Sequence, residues 1–165
     1  MKKAIKIVLK SFLALLLAVL IVAVGYVSYL LISYSRIEDN LTLDFENNPA
    51  STELIKRDTV YTAAIQNIGF GAYSDDYSFF MDGGKYSRAF SKQAAIENVS
   101  ALSNEVSALK PDFALFQEVD TDSTRSYHLN QAEMLKSDFS DYSSSFAENY
   151  HSAYLFYPFL EPHGA

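Results

Sequence analysis

The 165-residue sequence contains no cysteine and no tryptophan, and it has only four prolines and six glycines. The absence of cysteine excludes disulfide scaffolds, cysteine-based zinc sites and a cysteine nucleophile. Because apolar residues make up 49% of the chain, we expect a packed core and not a disordered chain. The length suffices for one domain together with a membrane anchor.

Acidic residues are absent from the first 35 positions, where all the charge comes from Lys2, Lys3, Lys6 and Lys10. The remainder of the chain carries nine basic and 20 acidic residues, a net charge of −11. A domain with this charge is a poor non-specific binder of nucleic acid, since neutralising phosphates requires clustered Lys and Arg. It can still bind a phosphate ester through a divalent cation, whose own charge reverses the local field.

No charged residue occurs between residues 11 and 32. A helix over this stretch spans about 33 Å, which matches the roughly 30 Å hydrocarbon core of a bilayer. Tyr26, Tyr29 and Tyr34 lie at its distal end, where aromatic rings favour the membrane interface. Because the lysines precede the span, the positive-inside rule predicts a single-pass cell-membrane protein with a cytoplasmic amino terminus and an extracytoplasmic main domain. A cleaved signal peptide is the alternative, but its apolar region is normally about 7–15 residues long.

The chain therefore divides into a cytoplasmic tip and anchor over residues 1–35, a polar tether over residues 36–57 and a domain over residues 58–165. A turn is predicted at residues 47–49, which read Asn-Pro after an asparagine. The patterns in the domain predict strands over residues 59–68, 113–119, 144–148 and 152–157, and a short helix over residues 129–135. The aromatic residues after position 145 are interpreted as core and sheet packing.

The clearest element of the domain is an amphipathic helix that ends before Pro111 and begins at a cap on Ser87 or Ser91. A strand, a helix and a strand in this order predict parallel neighbours in one sheet, because the crossover is longer than a dozen residues. The buried face is predicted from one apolar stripe at alternating spacings of four and three: Ala95, Val99, Leu102, Val106 and Leu109.

Two polar side chains close the two predicted parallel strands. Asn67 ends the first strand in IQNIGF, and Glu118 ends the second in FALFQEVD. Both are expected at the carboxyl edge of the sheet, where ligand sites lie in sheets covered by helices. A carboxylate with an amide oxygen suits Mg²⁺ or Mn²⁺, with water completing the coordination. The alternative is a solvated strand-end acid beside a turn-forming asparagine.

A strand ending in Asn-Ile, an amphipathic helix and the segment KPDFALFQEVD together resemble the start of the endonuclease/exonuclease/phosphatase superfamily. The similarity covers residues 60–120 and continues more weakly to about residue 160. It implies an α+β fold, the amino-terminal part of a four-layer α/β/β/α sandwich like that of deoxyribonuclease I, and hydrolysis of a phosphodiester or phosphomonoester. In that family the residue matching Glu118 ligates the divalent metal, and the one matching Asn67 helps position the metal, its water or the phosphate.

The family's later segments, Gly-Asp-x-Asn and Ser-Asp-His, do not occur in these 165 residues. They supply further acidic groups and the catalytic His, so we expect an incomplete domain without catalytic residues, inactive as this chain and arising from a truncated gene product or a fragment. The alternative is a non-catalytic, membrane-anchored binding module. The substrate, the choice of metal and the oligomeric state are left open, with nucleic acid disfavoured by charge.

Arg125 and Tyr127 follow Glu118 closely in TDSTRSYH. Arg125 is a candidate for bidentate phosphate binding and Tyr127 for a hydrogen bond to the same group, with a surface loop arginine as the equal alternative. His128, His151 and His163 have no metal-ligand spacing and are interpreted as ordinary polar or partly buried residues.

Overall fold

The computed structural model describes residues 2–35, 37–46 and 54–165. Over these ranges the fold is mixed α and β, as predicted, with a long apolar helix at the amino terminus. The turn predicted at residues 47–49 lies outside the described residues. The helices are α1 (Lys2–Ser33), α2 (Lys92–Ala108) and α3 (Gln131–Asp138), and the strands are β1 (Phe45–Glu46), β2 (Ala63–Asn67), β3 (Phe113–Gln117) and β4 (Ser144–Ser145).

The helix α1 is long and apolar enough to cross a membrane. Its 32 residues extend about 48 Å, and most of its large apolar side chains are exposed to the surroundings. A single such helix near the amino terminus is also what a signal sequence provides, so length and composition leave both interpretations available.

The strands β2 and β3 pair in parallel, as the strand–helix–strand order predicts, with Ala63 opposite Phe113 and Asn67 opposite Gln117. Both strands are shorter than predicted. Before β2, the Asp112 carboxylate accepts hydrogen bonds from the Thr62 backbone N–H and hydroxyl, so this N–H is not available to a neighbouring strand. After β3, Glu118 takes a left-handed backbone conformation with φ of 54°, which ends the strand.

The helix α2 begins where Ser91 caps it, since the Ser91 hydroxyl accepts a hydrogen bond from the Ala94 backbone N–H at 3.0 Å. Ser87, the other predicted cap, is instead buried, and its hydroxyl donates to the Glu161 carbonyl. Leu109 is the last member of the predicted apolar stripe, and the prediction that it belongs to the core is wrong. It is 71% exposed because it lies at the C-cap, beyond the helical turns that face the core.

The predicted helix over residues 129–135 is observed as α3, which starts after the side-chain cap Asn130. The helix α2 packs against α3 and against a 3₁₀ turn, Gly69–Gly71, that follows β2. The core of the described residues includes two small buried clusters. The first contains Phe70, Ala72, Tyr77, Ala89 and Ala95, and the second contains Ile68, Val99 and Leu135.

The predicted strand over residues 144–148 is reduced to β4, which pairs antiparallel with β1 from the segment expected to be a tether. The prediction of a strand over residues 152–157 is wrong. There the Tyr154 backbone N–H donates to the Tyr29 hydroxyl of α1, and the Tyr154 carbonyl accepts from the Tyr26 hydroxyl, so side chains of the helix satisfy a backbone that would otherwise join a ladder. Leu155 forms only an isolated bridge to Gly164.

One face of the β2–β3 pair is apolar and exposed. Ile65 is 67% exposed, Leu115 is 47% exposed and Phe113 is 42% exposed, while the alternate residues of each strand are partly buried on the helix side. In the described part of the chain the helices α2 and α3 therefore leave this face uncovered.

Candidate functional site

Asn67 and Glu118 meet at the carboxyl edge of the parallel strand pair. Asn67 is the last residue of β2, and Glu118 directly follows β3. The Asn67 Nδ2 atom donates a hydrogen bond to Glu118 Oε1 at 2.9 Å. The structure therefore brings together the two side chains that the sequence places at strand ends, and 40% of the Glu118 side chain stays exposed to solvent.

The backbone around this pair is held in left-handed conformations. Glu118 has φ of 54° and Phe70 has φ of 46°, values that non-glycine residues rarely adopt. Two hydrogen bonds fix the pair of loops, one from the Phe70 N–H to the Glu118 carbonyl at 3.0 Å and one from the Gly69 N–H to Asn67 Oδ1 at 2.8 Å. Such conformations cluster at functional sites, where the surrounding structure holds them in place.

The orientation of Asn67 follows from these contacts. Its amide oxygen accepts from Gly69, and its amide nitrogen faces the Glu118 carboxylate. Asn67 thus orients Glu118 directly, and its own oxygen is already engaged by the backbone. The role of Asn67 in holding a metal, its water or a phosphate stays a prediction.

Arg125 lies beside Glu118. Its Nε and Nη2 atoms bond the Asp120 carboxylate at 3.0 and 2.9 Å, and its Nη1 atom is 3.8 Å from Glu118 Oε2. Its guanidinium carbon lies 4.2 Å from the centroid of the Phe70 ring, an attractive cation–π distance. Because Asp120 occupies one edge of the guanidinium, the Nη1 group is the part that faces the Glu118 carboxylate.

Tyr127 is close in sequence but turned away from this carboxylate. Its hydroxyl donates to the Phe90 carbonyl at 3.4 Å, and its ring packs against the cluster around Phe70. The role of Tyr127 in binding a phosphate stays a prediction, and it requires the hydroxyl to leave Phe90.

Sequence reasoning missed two residues of this site, Asp120 and Gln131. Asp120 holds Arg125 in place, and its side chain is only 10% exposed. Gln131 is fully buried at the start of α3, where its Nε2 atom donates to the Phe70 carbonyl at 2.7 Å and its Oε1 atom accepts from the Asp120 N–H at 3.0 Å. A glutamine after the helix cap Asn130 has no sequence signal that marks it as buried.

The three histidines occupy different surroundings. His128 and His151 are exposed beside Asp122 and Glu148. His163 is partly buried, and its Nδ1 atom lies 2.9 Å from the Ser87 carbonyl. Burial lowers the pKa of His163 below its ordinary value.

A broad concavity of about 1200 Å³ runs from the exposed Leu115 on β3 to Glu118 and continues to His163. Its lining contains charged side chains of both signs, among them Glu118 and Arg125, as well as apolar ones such as Leu115. The charged and titratable residues in its lining near the site include Glu118, Asp120, Asp122, Arg125, His128 and His163.

The donor chemistry fits a hydrated divalent cation better than a protein-enclosed one. Glu118 offers one exposed carboxylate, and Mg²⁺ is commonly bound through one or two carboxylates with several waters. Across residues 2–35, 37–46 and 54–165, no group of three or more His, Asp or Glu side chains is placed to hold a metal ion. Any cation here must compete with Arg125 for Glu118.

Comparisons of this chain with protein-family models, with curated protein sequences and with solved structures find no match. The similarity to endonuclease/exonuclease/phosphatase enzymes thus rests on the residues Asn67 and Glu118 and on the segments around them.

Proposed function

We propose that this chain forms the metal-binding part of a membrane-anchored, divalent-metal-dependent phosphoesterase of the endonuclease/exonuclease/phosphatase type. The observation that carries the proposal is the Asn67–Glu118 hydrogen bond at the carboxyl edge of two parallel strands. In open sheets covered by helices this edge is where ligands bind. Glu118 is the proposed ligand for Mg²⁺ or Mn²⁺, and Asn67 holds its carboxylate in one orientation.

The roles of the neighbouring side chains follow from their contacts. A cation held by Glu118 would polarise a phosphoryl oxygen as a Lewis acid. Arg125 presents Nη1 toward the same space and contributes positive charge for the phosphate, while Asp120 fixes the guanidinium plane. Tyr127 is the proposed hydrogen-bond donor to the phosphate once its hydroxyl leaves Phe90. The substrate is a phosphate ester, and the acidic domain disfavours nucleic acid.

The exposed apolar face of β2 and β3 supports the sandwich as the fold of the complete domain. In a four-layer α/β/β/α arrangement each sheet has helices on one face and the second sheet on the other. Ile65, Phe113 and Leu115 are exposed on the face opposite α2 and α3, where a second sheet would pack. We therefore propose residues 58–165 as the front portion of that fold.

The membrane topology is part of the same proposal. Residues 11–32 of α1 span the cell membrane once, with Lys2, Lys3, Lys6 and Lys10 on the cytoplasmic side. The domain after residue 35 then lies outside the cytoplasm. A site tethered in this way can reach phosphate esters at or near the outer surface of the membrane.

A second candidate is a membrane-anchored binding module without catalytic activity. It is favoured by the position of Arg125, whose Nη1 atom lies 3.8 Å from Glu118 Oε2, so that the two side chains can hold a cation and a phosphate together without a hydrolytic step. In this case the Glu118 site binds a cation or a cation–phosphate complex and releases it unchanged.

The test is Mn²⁺ binding by the full chain in detergent micelles, followed by electron paramagnetic resonance. Glu118→Gln keeps the shape of the side chain and removes its charge, so it should weaken Mn²⁺ binding by at least about tenfold, since even outer-shell changes weaken metal sites by 10–100-fold. The matched control is Glu105→Gln, which removes an exposed acid from α2, outside the site, and should leave binding unchanged.

Hydrolysis of a generic phosphodiester in the same preparation separates the two candidates. Mn²⁺-dependent hydrolysis that is lost in Glu118→Gln supports the enzyme, whereas Mn²⁺ binding without hydrolysis supports the binding module. Equal Mn²⁺ binding by the unchanged protein and by both variants would refute the metal site itself.

A further inference from the structure

The segment over residues 154–160 reads YLFYPFL and is uncharged. It lies outside both clusters of the core, and its apolar side chains are turned to the surroundings. Phe159 is 74% exposed and Leu160 is fully exposed, while Phe156 and Tyr157 are 41% and 58% exposed. The sequence-based interpretation of these aromatic residues as core packing is therefore wrong for this segment.

This aromatic segment is attached to the membrane helix. The Tyr26 hydroxyl donates to the Tyr154 carbonyl at 3.1 Å, and the Tyr154 N–H donates to the Tyr29 hydroxyl at 3.0 Å. The Phe156 and Tyr26 rings meet edge to face with centroids 4.7 Å apart. Three contacts thus fix the segment against one turn of α1.

The position of that turn along α1 gives the depth of the segment. Tyr26 follows Ser11, the first residue of the uncharged stretch, by about 22 Å of helix rise, whereas the hydrocarbon core is roughly 30 Å thick. If residues 11–32 span the bilayer, Tyr26 lies within its outer part, and Phe156 in contact with Tyr26 is at the same level. Tyr29, whose hydroxyl accepts a hydrogen bond from the Tyr154 N–H, lies one turn farther out along α1, close to the interface that tyrosine rings prefer.

We propose that the aromatic segment is a second membrane contact, which inserts Phe156, Phe159 and Leu160 into the outer interface of the bilayer beside α1. The occupant is lipid, because the segment is continuous with a helix that lipid already surrounds and because it carries no charge that would have to be desolvated. Its role is to fix the orientation of the domain. The segment leads directly to His163 and Gly164, which line the concavity, so this surface is held at a set distance from the membrane.

The absence of tryptophan makes the test direct, since any introduced tryptophan is the single one in the chain. Phe159→Trp is reconstituted as the full chain in phosphatidylcholine vesicles, with and without brominated acyl chains that quench nearby tryptophan. We expect a blue-shifted emission that loses most of its intensity in the brominated vesicles. The matched control is Phe113→Trp, because Phe113 is 42% exposed on the sheet and outside the segment, and its emission should stay red-shifted and unquenched.

Leu160→Trp provides a second probe that does not depend on the ring contacts of Phe159, which packs on Phe156 and Tyr157. Quenching of either segment probe with an unquenched control supports the proposal. Red-shifted, unquenched emission from both probes overturns it. Blue-shifted emission that brominated lipid does not quench also overturns it, since protein, such as a second copy of this chain, would then cover the segment.

Discussion

Replacing Gln131 by Leu tests whether one buried glutamine joins the two halves of the candidate site. The Gln131 side chain is fully buried and bridges the turn after β2 to the loop after β3, through the Phe70 carbonyl and the Asp120 N–H. Leucine has a similar volume but pairs with neither group. Each buried polar group left without a partner costs about 1–3 kcal/mol, so the two together should destabilise the domain by roughly 2–6 kcal/mol.

The assay is thermal unfolding of the full chain in detergent micelles, followed by the near-ultraviolet circular dichroism of the tyrosine and phenylalanine rings. One kcal/mol shifts the Tm of a domain of about 100 residues by roughly 4 °C, so Gln131→Leu should lower the Tm by about 8–24 °C. The matched control is Gln93→Leu, an exposed glutamine on α2, which should change stability by no more than about 0.5 kcal/mol.

Equal Tm values for Gln131→Leu and Gln93→Leu would refute the reasoning. They would mean that water or a shifted backbone satisfies both the Phe70 carbonyl and the Asp120 N–H. Amide hydrogen exchange provides a local check. The N–H of Asp120 should exchange faster in Gln131→Leu and at the original rate in Gln93→Leu.

Two further predictions concern the packing of the turn and the response to pH. Gly71→Ala should lower the free energy of unfolding in urea clearly more than Gly83→Ala. Both glycines have a left-handed φ, but a Cβ on Gly71 would lie 2.9 Å from the Ala95 carbonyl oxygen, whereas a Cβ on Gly83 would face open space. Equal losses of stability would contradict the close approach of Gly71 to Ala95. Burial lowers the pKa of His163, so the unfolded chain binds a proton at this residue more readily than the folded chain does. The stability should therefore fall as the pH drops from about 7 through the ordinary histidine pKa near 6.5 toward the lower pKa of the folded state. His163→Asn should reduce this dependence of the urea midpoint on pH. An unchanged dependence would argue against His163 as its source.

The elements that sequence patterns predicted best are those whose signals are local. The uncharged stretch in residues 11–32 predicts α1, and the Ser91 cap with its apolar stripe predicts α2. The parallel pairing of β2 with β3 also follows from the order and length of the connection. Because pairing direction is fixed by the crossover, Asn67 and Glu118 could be placed at one sheet edge before any distance was known.

The predictions that were wrong for residues 152–160 depended on contacts between residues far apart in the chain. The strand expected at residues 152–157 is absent because Tyr26 and Tyr29 of α1 satisfy the backbone of Tyr154, a contact that spans more than 120 positions. The same contact holds the segment over residues 154–160 at the surface, although its aromatic composition favours a place in the core. Leu109 is exposed for a more local reason, since the helix ends one residue before it.

The sequence by itself determined the anchor-like helix and the helix α2, because hydrophobic periodicity and capping act over short distances. It also placed Asn67 and Glu118 at one sheet edge, because the length of the crossover fixes the direction of strand pairing. Only the tertiary structure decided that Asn67 orients the Glu118 carboxylate, that Asp120 holds Arg125 and that Gln131 is buried between the two loops. These contacts depend on side-chain directions and on left-handed backbone conformations at Phe70 and Glu118, which no spacing rule encodes. The physical reason is that a hydrogen-bond partner is selected by the packing of several elements at once, whereas an element is selected by its own residues.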